Sequence, residues 1–506
     1  MTRPRVLIIG AGLGGLAAAL RLAHAGCDVT VHDRHPGPGG KMRTLPSAAG
    51  PVDAGPTVFT LRTVFEELFA SVGERLDTHL DLVADRVVAR HWWPDGSTLD
   101  LTNDLATNAR AIDAFAGSRA AQQFERFSAE TSILFDRFRA PVMDAPRIRL
   151  SSLISPVLSA PSVMARALRP GATLASALAA RFDDPRLRQL FGRYATYVGG
   201  SPLASPALLA LIWQAEAAGV WAIRGGMHKL AVTLTQLAEA RGARFTFGSH
   251  IDELLFEGDR CVGLKTRDGS TQHADIVVFN GDPAALHQGA LGQRARGAVR
   301  RNAASPRALS ARVWSFAARA NGLELAHHNV LFGRDPLSEF RDLAAGKIPS
   351  DPTLYICAQD RLADSPPGDL ERFEIIANAP PLSQTRQESP PCPTAIFPTL
   401  ARFGLSFDPQ PDLNAVSTPA DFAKAFPATD GSLYGRSPHG TMASFARATA
   451  RSRIKGLYLA GGGVHPGPGI PMATRSGQHA AEAILSDLAS TSTFRQTAMH
   501  GGMSTA

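Results

Sequence analysis

Cysteine is scarce: Cys27, Cys261, Cys357 and Cys392 are scattered over 506 residues with no C-x-x-C pair. That spacing argues against a zinc site or a disulfide framework and suits a reducing compartment. No apolar run reaches the ~18 residues of a spanning helix, so none is expected. The first twenty residues carry Arg3 and Arg5 before an apolar stretch, as a secretion signal does. Glycines interrupt that stretch and no convincing small-residue cleavage site closes it, so it is read as part of the fold. Trp and Tyr number only 5 each, and no aromatic-interleaved basic cluster argues for nucleic acid. Charged residues are 19% and hydrophobic ones 44%, a balance that fits neither a disordered nor a supercharged chain. Glycine, by contrast, is abundant. Gly 46 and Pro 36 exceed their usual share with no collagen-like period, so the surplus belongs in particular loops.

The first such loop follows Val6-Leu7-Ile8-Ile9, a continuous apolar run suited to a strand buried on both faces. Gly10-Ala11-Gly12-Leu13-Gly14-Gly15 comes next, then a helical stretch from Leu16 to Ala25 closed by Gly26. A second strand, Asp28 to His32, ends at Asp33, 18 residues beyond Gly15. This is a G-x-G-x-x-G in its required context of strand, helix and acid, the fingerprint of dinucleotide binding. Gly10 permits the tight turn, Gly12 the approach of a pyrophosphate, and Gly15 close helix–strand packing. The helix N-terminus offers N–H groups to the phosphates, and Asp33 would accept ribose hydroxyls.

Pro38-Gly39-Gly40-Lys41-Met42-Arg43 and Asp53-Ala54-Gly55-Pro56-Thr57 follow the acid. With these the sequence resembles the flavin amine oxidase and carotenoid desaturase superfamily, which implies FAD rather than NAD. The fold implied is α/β, a Rossmann-type FAD-binding domain with an interleaved substrate domain. In that family the second glycine pair and its basic residue line the diphosphate and flavin, and the Asp-x-Gly-Pro-Thr stretch lies beside the flavin ring. Where the family usually has Glu, this chain has Asp33, and either carboxylate can bind ribose.

Near the other end, a strand over Gly456–Ala460 leads into Gly461-Gly462-Gly463-Val464-His465-Pro466-Gly467-Pro468-Gly469-Ile470-Pro471-Met472 and a helix from Ala473 to about Ala489. This resembles the family's C-terminal FAD motif, whose helix faces the flavin pyrimidine. His465 is read as structural. In the middle, Trp221-Ala222-Ile223-Arg224-Gly225-Gly226-Met227 precedes an amphipathic helix, His228 to Arg241, and strands Arg260–Arg267 and Ala274–Phe279 flank Gly269. They resemble the family's Gly-Gly-Met element and the strand pair returning to the nucleotide domain, with Ile251 near the adenine. Ile375 to Pro381 matches a further family strand. The resemblance implies cofactor contacts at Gly10, Ala11, Gly12, Leu13, Gly14, Gly15, Asp33, Arg34, Gly39, Gly40, Lys41, Met42, Arg43, Gly55, Pro56, Thr57, Ile251, Gly461, Gly462, Gly469, Ile470, Pro471 and Met472. It implies a discontinuous FAD-binding domain at 1–65, 215–290 and 435–490, a substrate and membrane-associated domain at 66–214 and 291–434, and a mobile tail at 491–506.

Gly431-Ser432-Leu433-Tyr434-Gly435, Ala443-Ser444-Phe445-Ala446-Arg447 and the His-Pro-Gly-Pro-Gly-Ile-Pro-Met run look like bacterial carotenoid desaturases. Met472, with the Leu-Tyr-Gly element, looks more like the hydroxycarotenoid 3,4-desaturases, also called methoxyneurosporene dehydrogenases, than the phytoene branch. The activity implied is an FAD-dependent desaturation of an acyclic 1-hydroxycarotenoid of the 1-hydroxyneurosporene type at C3–C4, in spheroidene-type carotenoid biosynthesis. Hydride would leave one carbon for FAD, a proton the other, and the electrons would pass to oxygen or a quinone. Phytoene desaturase and carotenoid isomerase stay open as alternatives, as do a flavin amine oxidase and a non-enzymatic prenyl-binding escort protein. No proton acceptor is identified; Asp136, Arg137, Arg139 and Asp144 suit surface ion pairs better. Residues 145–182 hold Arg147, Arg149, Arg166, Arg169 and Arg181 but no Asp or Glu. Among Leu150, Leu153, Ile154, Val157 and Leu158, these suit an anionic bilayer surface, here the cytoplasmic side of a bacterial membrane. The plainer reading is a helical subdomain with solvated arginines. No metal is expected.

Overall fold

The computed structural model describes residues 3–364, 367–385, 392, 394–440 and 443–500. A five-stranded parallel sheet runs in the order Leu457–Leu459, Ile276–Phe279, Arg5–Ile9, Asp28–Asp33, Arg244–Phe247. Numbered along the chain this is 5-4-1-2-3, the doubly wound order in which ligands bind at the carboxyl ends of the strands. Arg5–Ile9 is central, pairing Val6 with Val29 on one side and with Ile276 on the other. Being covered on both faces, Val6, Ile8 and Val278 are wholly buried, which is why these strands are continuous apolar runs.

Two helices meet on this sheet through backbone. Leu13–His24 begins three residues before its expected start, with Gly12 as N-cap. Ile470–His500 likewise begins before Ala473, because Pro471 is tolerated in a helix's first turn, and it runs past Ala489. A Cβ on Gly477 would lie 2.1 Å from the Gly14 carbonyl oxygen, so only glycine allows this crossing. The expected tail, 491–506, continues the helix backbone to His500, and 501–506 lie outside the described residues.

The strands around Gly269 differ from expectation. Arg260–Thr266 pairs with Thr271–His273, and Ile276–Phe279 leaves that ribbon for the parallel sheet. All four residues of Ile276–Phe279 are buried, which suits the interior sheet and not a half-exposed ribbon.

The second layer is an eight-stranded sheet in the order Ser406–Asp408, Ser310–Asn321, Glu371–Ala379, Leu354–Ala358, His328–Leu331, Ala89–Trp92, Thr98–Leu101, with Val416–Ser417 also on Ser310–Asn321. Every parallel-sheet strand falls within 1–65, 215–290 or 435–490, and every strand of the larger sheet within 66–214 or 291–434. A helical part beside it is centred on the long helix Ser118–Phe138, where Phe124, Phe127, Phe182, Phe191 and Trp213 pack as one aromatic core. Among the described residues no helix is long and apolar enough to cross a membrane.

Candidate active site

The carboxyl ends of the parallel strands open into a cavity of about 580 Å³ that continues to the face of the larger sheet. Its first wall is backbone. A Cβ on Gly15 would sit 2.1 Å from the Gly10 carbonyl, and one on Gly14 2.5 Å from the Gly461 nitrogen. Asn280, at the end of its strand, donates Nδ2–H to the carbonyls of Gly10 (2.9 Å) and Gly12 (3.2 Å) and pins the loop. Gly39 N–H donates to the Ala11 carbonyl at 2.8 Å, joining the two glycine loops. Asp33 lies at the cavity with its carboxylate accepting from Ala11 N–H (2.6 Å) and His35 N–H (2.8 Å). A carboxylate has lone pairs beyond these two contacts, so ribose hydroxyls can share it.

The Asp53–Thr57 stretch bridges the two layers. Asp53 is buried and accepts N–H bonds from Met227 (2.6 Å) and His228 (3.1 Å), capping the helix His228–Glu239. Burial raises its pKa, and the two backbone donors work against that rise. Gly226, at φ +101°, lies where a Cβ would be 2.8 Å from Asp53 Oδ2, which accounts for glycine in the Gly-Gly-Met element. Gln359 of the larger sheet exchanges hydrogen bonds with the Asp53 backbone at 3.0 and 2.9 Å. Gly55 passes so close to Lys41 that a Cβ would meet its carbonyl at 2.0 Å. Lys41 itself is half-buried, with Nζ donating to the Leu433 carbonyl at 2.5 Å; desolvation drops its pKa to about 8, partly offset by Asp282.

The second wall is side chains of the larger sheet: Val313, Val330, Phe332, Tyr355, Glu374, Ile376 and Asn378. Thr57 Oγ1 and Tyr355 Oη are 2.8 Å apart, and Tyr355 Oη is 2.7 Å from His328 Nδ1. Behind it, Asp85 holds His327 Nδ1 at 2.9 Å. Burial opposes the Asp85 charge, but the two histidines outweigh it and keep its pKa low. Among the described residues, His327, His328 and Cys357 are the group whose ligand atoms come within 4.8 Å of one another. They are not among the residues lining the cavity, although Cys357 and His328 share the sheet face of Glu374, and each histidine already has a protein partner.

Nearly all the residues singled out from the sequence line this cavity: Gly10, Gly12, Leu13, Gly14, Asp33, Arg34, Gly39 to Met42, Gly55 to Thr57, Ile251, Gly461, Gly462 and Gly469 to Pro471. Four do not. Ala11 and Gly15 pack inside the loop, Arg43 turns to Ser417 Oγ (2.9 Å) and the Phe422 ring, and Met472 is half-buried off the wall. His465 donates Nε2–H to the Ala145 carbonyl, and burial lowers its pKa to about 4, as a structural histidine requires. Arg139 pairs with Asp144 off the cavity, and Asp136 and Arg137 are exposed. The sequence reading missed Asn280 and Glu374 as cavity residues. Each carries a signal in retrospect: a polar residue ending a buried strand beside the glycine loop, and a lone acid within the apolar run Phe373–Ile376.

The cavity fits an elongated dinucleotide. Gly12 caps its helix with no side-chain bond, leaving first-turn N–H groups for an anion, and the half-buried Lys41 supplies a cation on the same wall. A doubly wound fold with such a groove defines a dinucleotide-dependent oxidoreductase. Comparison with known proteins agrees. The flavin containing amine oxidoreductase model matches residues 13–310. Hydroxyneurosporene desaturase from Cereibacter sphaeroides is 54% identical over 97% of this chain and 99% of its own, and that from Rhodobacter capsulatus 49% over 95% and 98%. The solved structure of a putrescine oxidase bound to putrescine covers 96% of this chain and 99% of its own, with a TM-score of 0.62 at 13% identity, a likeness of fold alone. The chain belongs to the flavin containing amine oxidoreductases and, within them, to the carotenoid desaturase family. It is an oxidoreductase whose cofactor is FAD.

Proposed function

We propose that this chain is a hydroxycarotenoid 3,4-desaturase, forming the C3–C4 double bond of an acyclic 1-hydroxycarotenoid of the 1-hydroxyneurosporene type. One observation carries the reading: a single cavity runs from the dinucleotide loops to an apolar sheet face, in a chain 54% identical to a hydroxyneurosporene desaturase. FAD, when bound, supplies the hydride acceptor. The glycine loops, Asp33 and Arg34 would hold its dinucleotide, Lys41 would face its negative charge, and the Gly55–Thr57 loop would lie beside its ring. Val313, Val330, Phe332 and Ile376 keep the polyene's surroundings apolar and exclude water. The domain division at 1–65, 215–290 and 435–490 against 66–214 and 291–434 follows from the same reading.

A water-insoluble substrate must reach this cavity from a lipid phase. Leu150, Ile154 and Leu158 are 69%, 58% and 72% exposed, beside exposed Arg147, Arg149 and Arg169. Arg166 and Arg181 are not available, since both pair with Glu130 from outside the acid-free segment. The remaining patch suits the cytoplasmic surface of an anionic bilayer, with oxygen or a membrane quinone taking the electrons. Arg147→Glu with Arg149→Glu is expected to cut co-sedimentation with anionic vesicles at least tenfold, at roughly 1 kcal/mol per Arg. Binding indifferent to anionic lipid and to salt removes the membrane assignment.

The function is tested by incubating holoenzyme with 1-hydroxyneurosporene, neurosporene or phytoene in liposomes and recording product spectra. A bathochromic product from 1-hydroxyneurosporene is expected. Conversion of phytoene alone makes the chain a phytoene desaturase. Isomerisation without net electron transfer makes it an isomerase, and failure to bind flavin at all leaves an escort protein.

A further inference from the structure

Glu374 is a cavity residue with no side-chain partner among the described residues; the Gly55 backbone N–H lies near its carboxyl, outside full hydrogen-bond geometry. It is 0% exposed, it lines the cavity, and neither Oε1 nor Oε2 has a hydrogen-bond partner. Buried carboxyl groups are almost always paired, so an unpaired one calls for an explanation. Strand alternation fixes its direction. Ile376 and Asn378 share its face and line the cavity, while Phe373 and Ile375 point into the core of the larger sheet. Its cross-strand neighbour Ser315 is also buried with an unpartnered Oγ.

The other polar groups on this wall are already engaged. Thr57, Tyr355 and His328 form one chain. Glu339 accepts from Asn378 (2.8 Å) and Thr353 (3.1 Å). Tyr197 and Arg193 are held by Glu216. Arg43, the nearby cation, gives Nη2–H to Ser417 and leaves its buried Nε without a partner. Burial first, then the neighbouring Cys357 and Asp53, raise the pKa of the Glu374 carboxyl and favour its neutral form, with Arg43 and the Gly55 N–H acting against the rise. A neutral carboxylic acid offers one donor and one acceptor, and its natural complement is a neutral hydroxyl, which offers the same pair.

We propose that Glu374 is the specificity-determining residue for the hydroxyl group of the carotenoid, exchanging hydrogen bonds with it and thereby placing the C3–C4 bond at the reacting position. This rests on the desaturase reading above. Position supports it: Glu374 lies beside the Gly55 backbone, in the loop before Thr57. C1, which bears the hydroxyl, is only two bonds from C3, so the anchor of that hydroxyl must lie beside the reacting end of the cavity. Asn378, four residues further along the strand, is ~13 Å away at ~3.3 Å per residue and would place a bond deeper in the chain.

The test compares wild type, Glu374→Leu and Glu374→Gln as holoenzymes in phosphatidylcholine vesicles, on 1-hydroxyneurosporene and on its hydrocarbon counterpart neurosporene. Glu374→Leu should lose about 10- to 100-fold in kcat/KM on the hydroxylated substrate, mostly through KM, as expected for one reciprocal hydrogen-bonded pair. Its handling of neurosporene, as turnover or as competitive inhibition, should be unchanged. Glu374→Gln keeps a donor and an acceptor and should stay within about fivefold of wild type. Because the leucine removes an unpaired buried polar group, it should raise Tm and keep flavin, a gain no structural role predicts. Unchanged discrimination in Glu374→Leu overturns the proposal. Equal loss of kcat on both substrates in both variants also overturns it, and makes Glu374 a proton carrier instead. A wild type inert towards every hydroxycarotenoid fails the functional reading itself, which is a separate result.

Discussion

The two walls of the cavity are made of different material. The dinucleotide wall is main chain, held at distances that leave no room for a Cβ at Gly14, Gly15, Gly39 or Gly55. The substrate wall is side chain, presented at every second residue of Glu371–Ala379 and its neighbours. A wall of backbone recognises what is common to every molecule of its cofactor and tolerates almost no change. A wall of side chains can be altered one residue at a time while the fold stands, which is where selectivity among carotenoids can be set.

The sharpest way to break this contrast is one added methyl. Gly15→Ala places a Cβ 2.1 Å from the Gly10 carbonyl oxygen, and neither atom can yield without moving the central strand or its helix. A loss of FAD affinity of about 5- to 150-fold is expected, in line with overpacking costs of about 1–3 kcal/mol. It is read as the flavin-to-protein absorbance ratio after purification, and full flavin content would show that the backbone wall is softer than described. Next comes Asp53→Ala, which removes the cap on His228–Glu239 and leaves two N–H groups without their acceptor. A stability loss of about 1–3 kcal/mol is expected in denaturant unfolding, with Asp53→Asn falling between.

Lys41 is an ionisable side chain set into the backbone wall with its pKa brought near physiological pH. Its pKa is lowered to about 8 in the free protein, mainly by burial, so its cation is present below that pH and lost above it. An anionic cofactor bound beside it favours the charged form. FAD affinity is therefore expected to be level below about pH 8 and to fall as pH rises beyond it, by up to about tenfold per unit. Lys41→Met should bind more weakly and lose this slope, measured by flavin fluorescence titration across pH. The smallest effect is expected on the other wall. Ile376→Val removes one methyl and should cost about 0.5–1.5 kcal/mol of stability, with kcat/KM changed less than about fivefold.

The same contrast explains what the sequence could and could not reveal. Residues 10–15, 38–43, 53–57 and 461–472 were legible because a close backbone approach forces glycine, and glycine spacing is local. The parallel sheet followed from it, since each glycine loop ends a continuous apolar strand. Asn280 and Glu374 were not legible as cavity residues, because what matters about each is a partner, or the lack of one, far away in the chain. Asn280 meets Gly10 across 270 positions. Two of the five arginines of 145–182, Arg166 and Arg181, were not legible as paired for a related reason: their acid, Glu130, lies on the helix before the segment. Helix starts at Leu13 and Ile470 came earlier than expected, since glycine and proline tolerate the first turn while offering no apolar periodicity.

The contact between Gly14 and Gly477 joins the first helix of the chain to its last. The ribosome releases the first long before it makes the second, and the strand Leu457–Leu459, an edge of the parallel sheet, is also among the last segments to emerge. Because that strand is an edge, the other four can pair before it arrives, and it closes the sheet from outside. The cavity wall is likewise shared between segments more than 400 residues apart, Gly14 on one side and Gly461 on the other, so the two must meet before that wall exists.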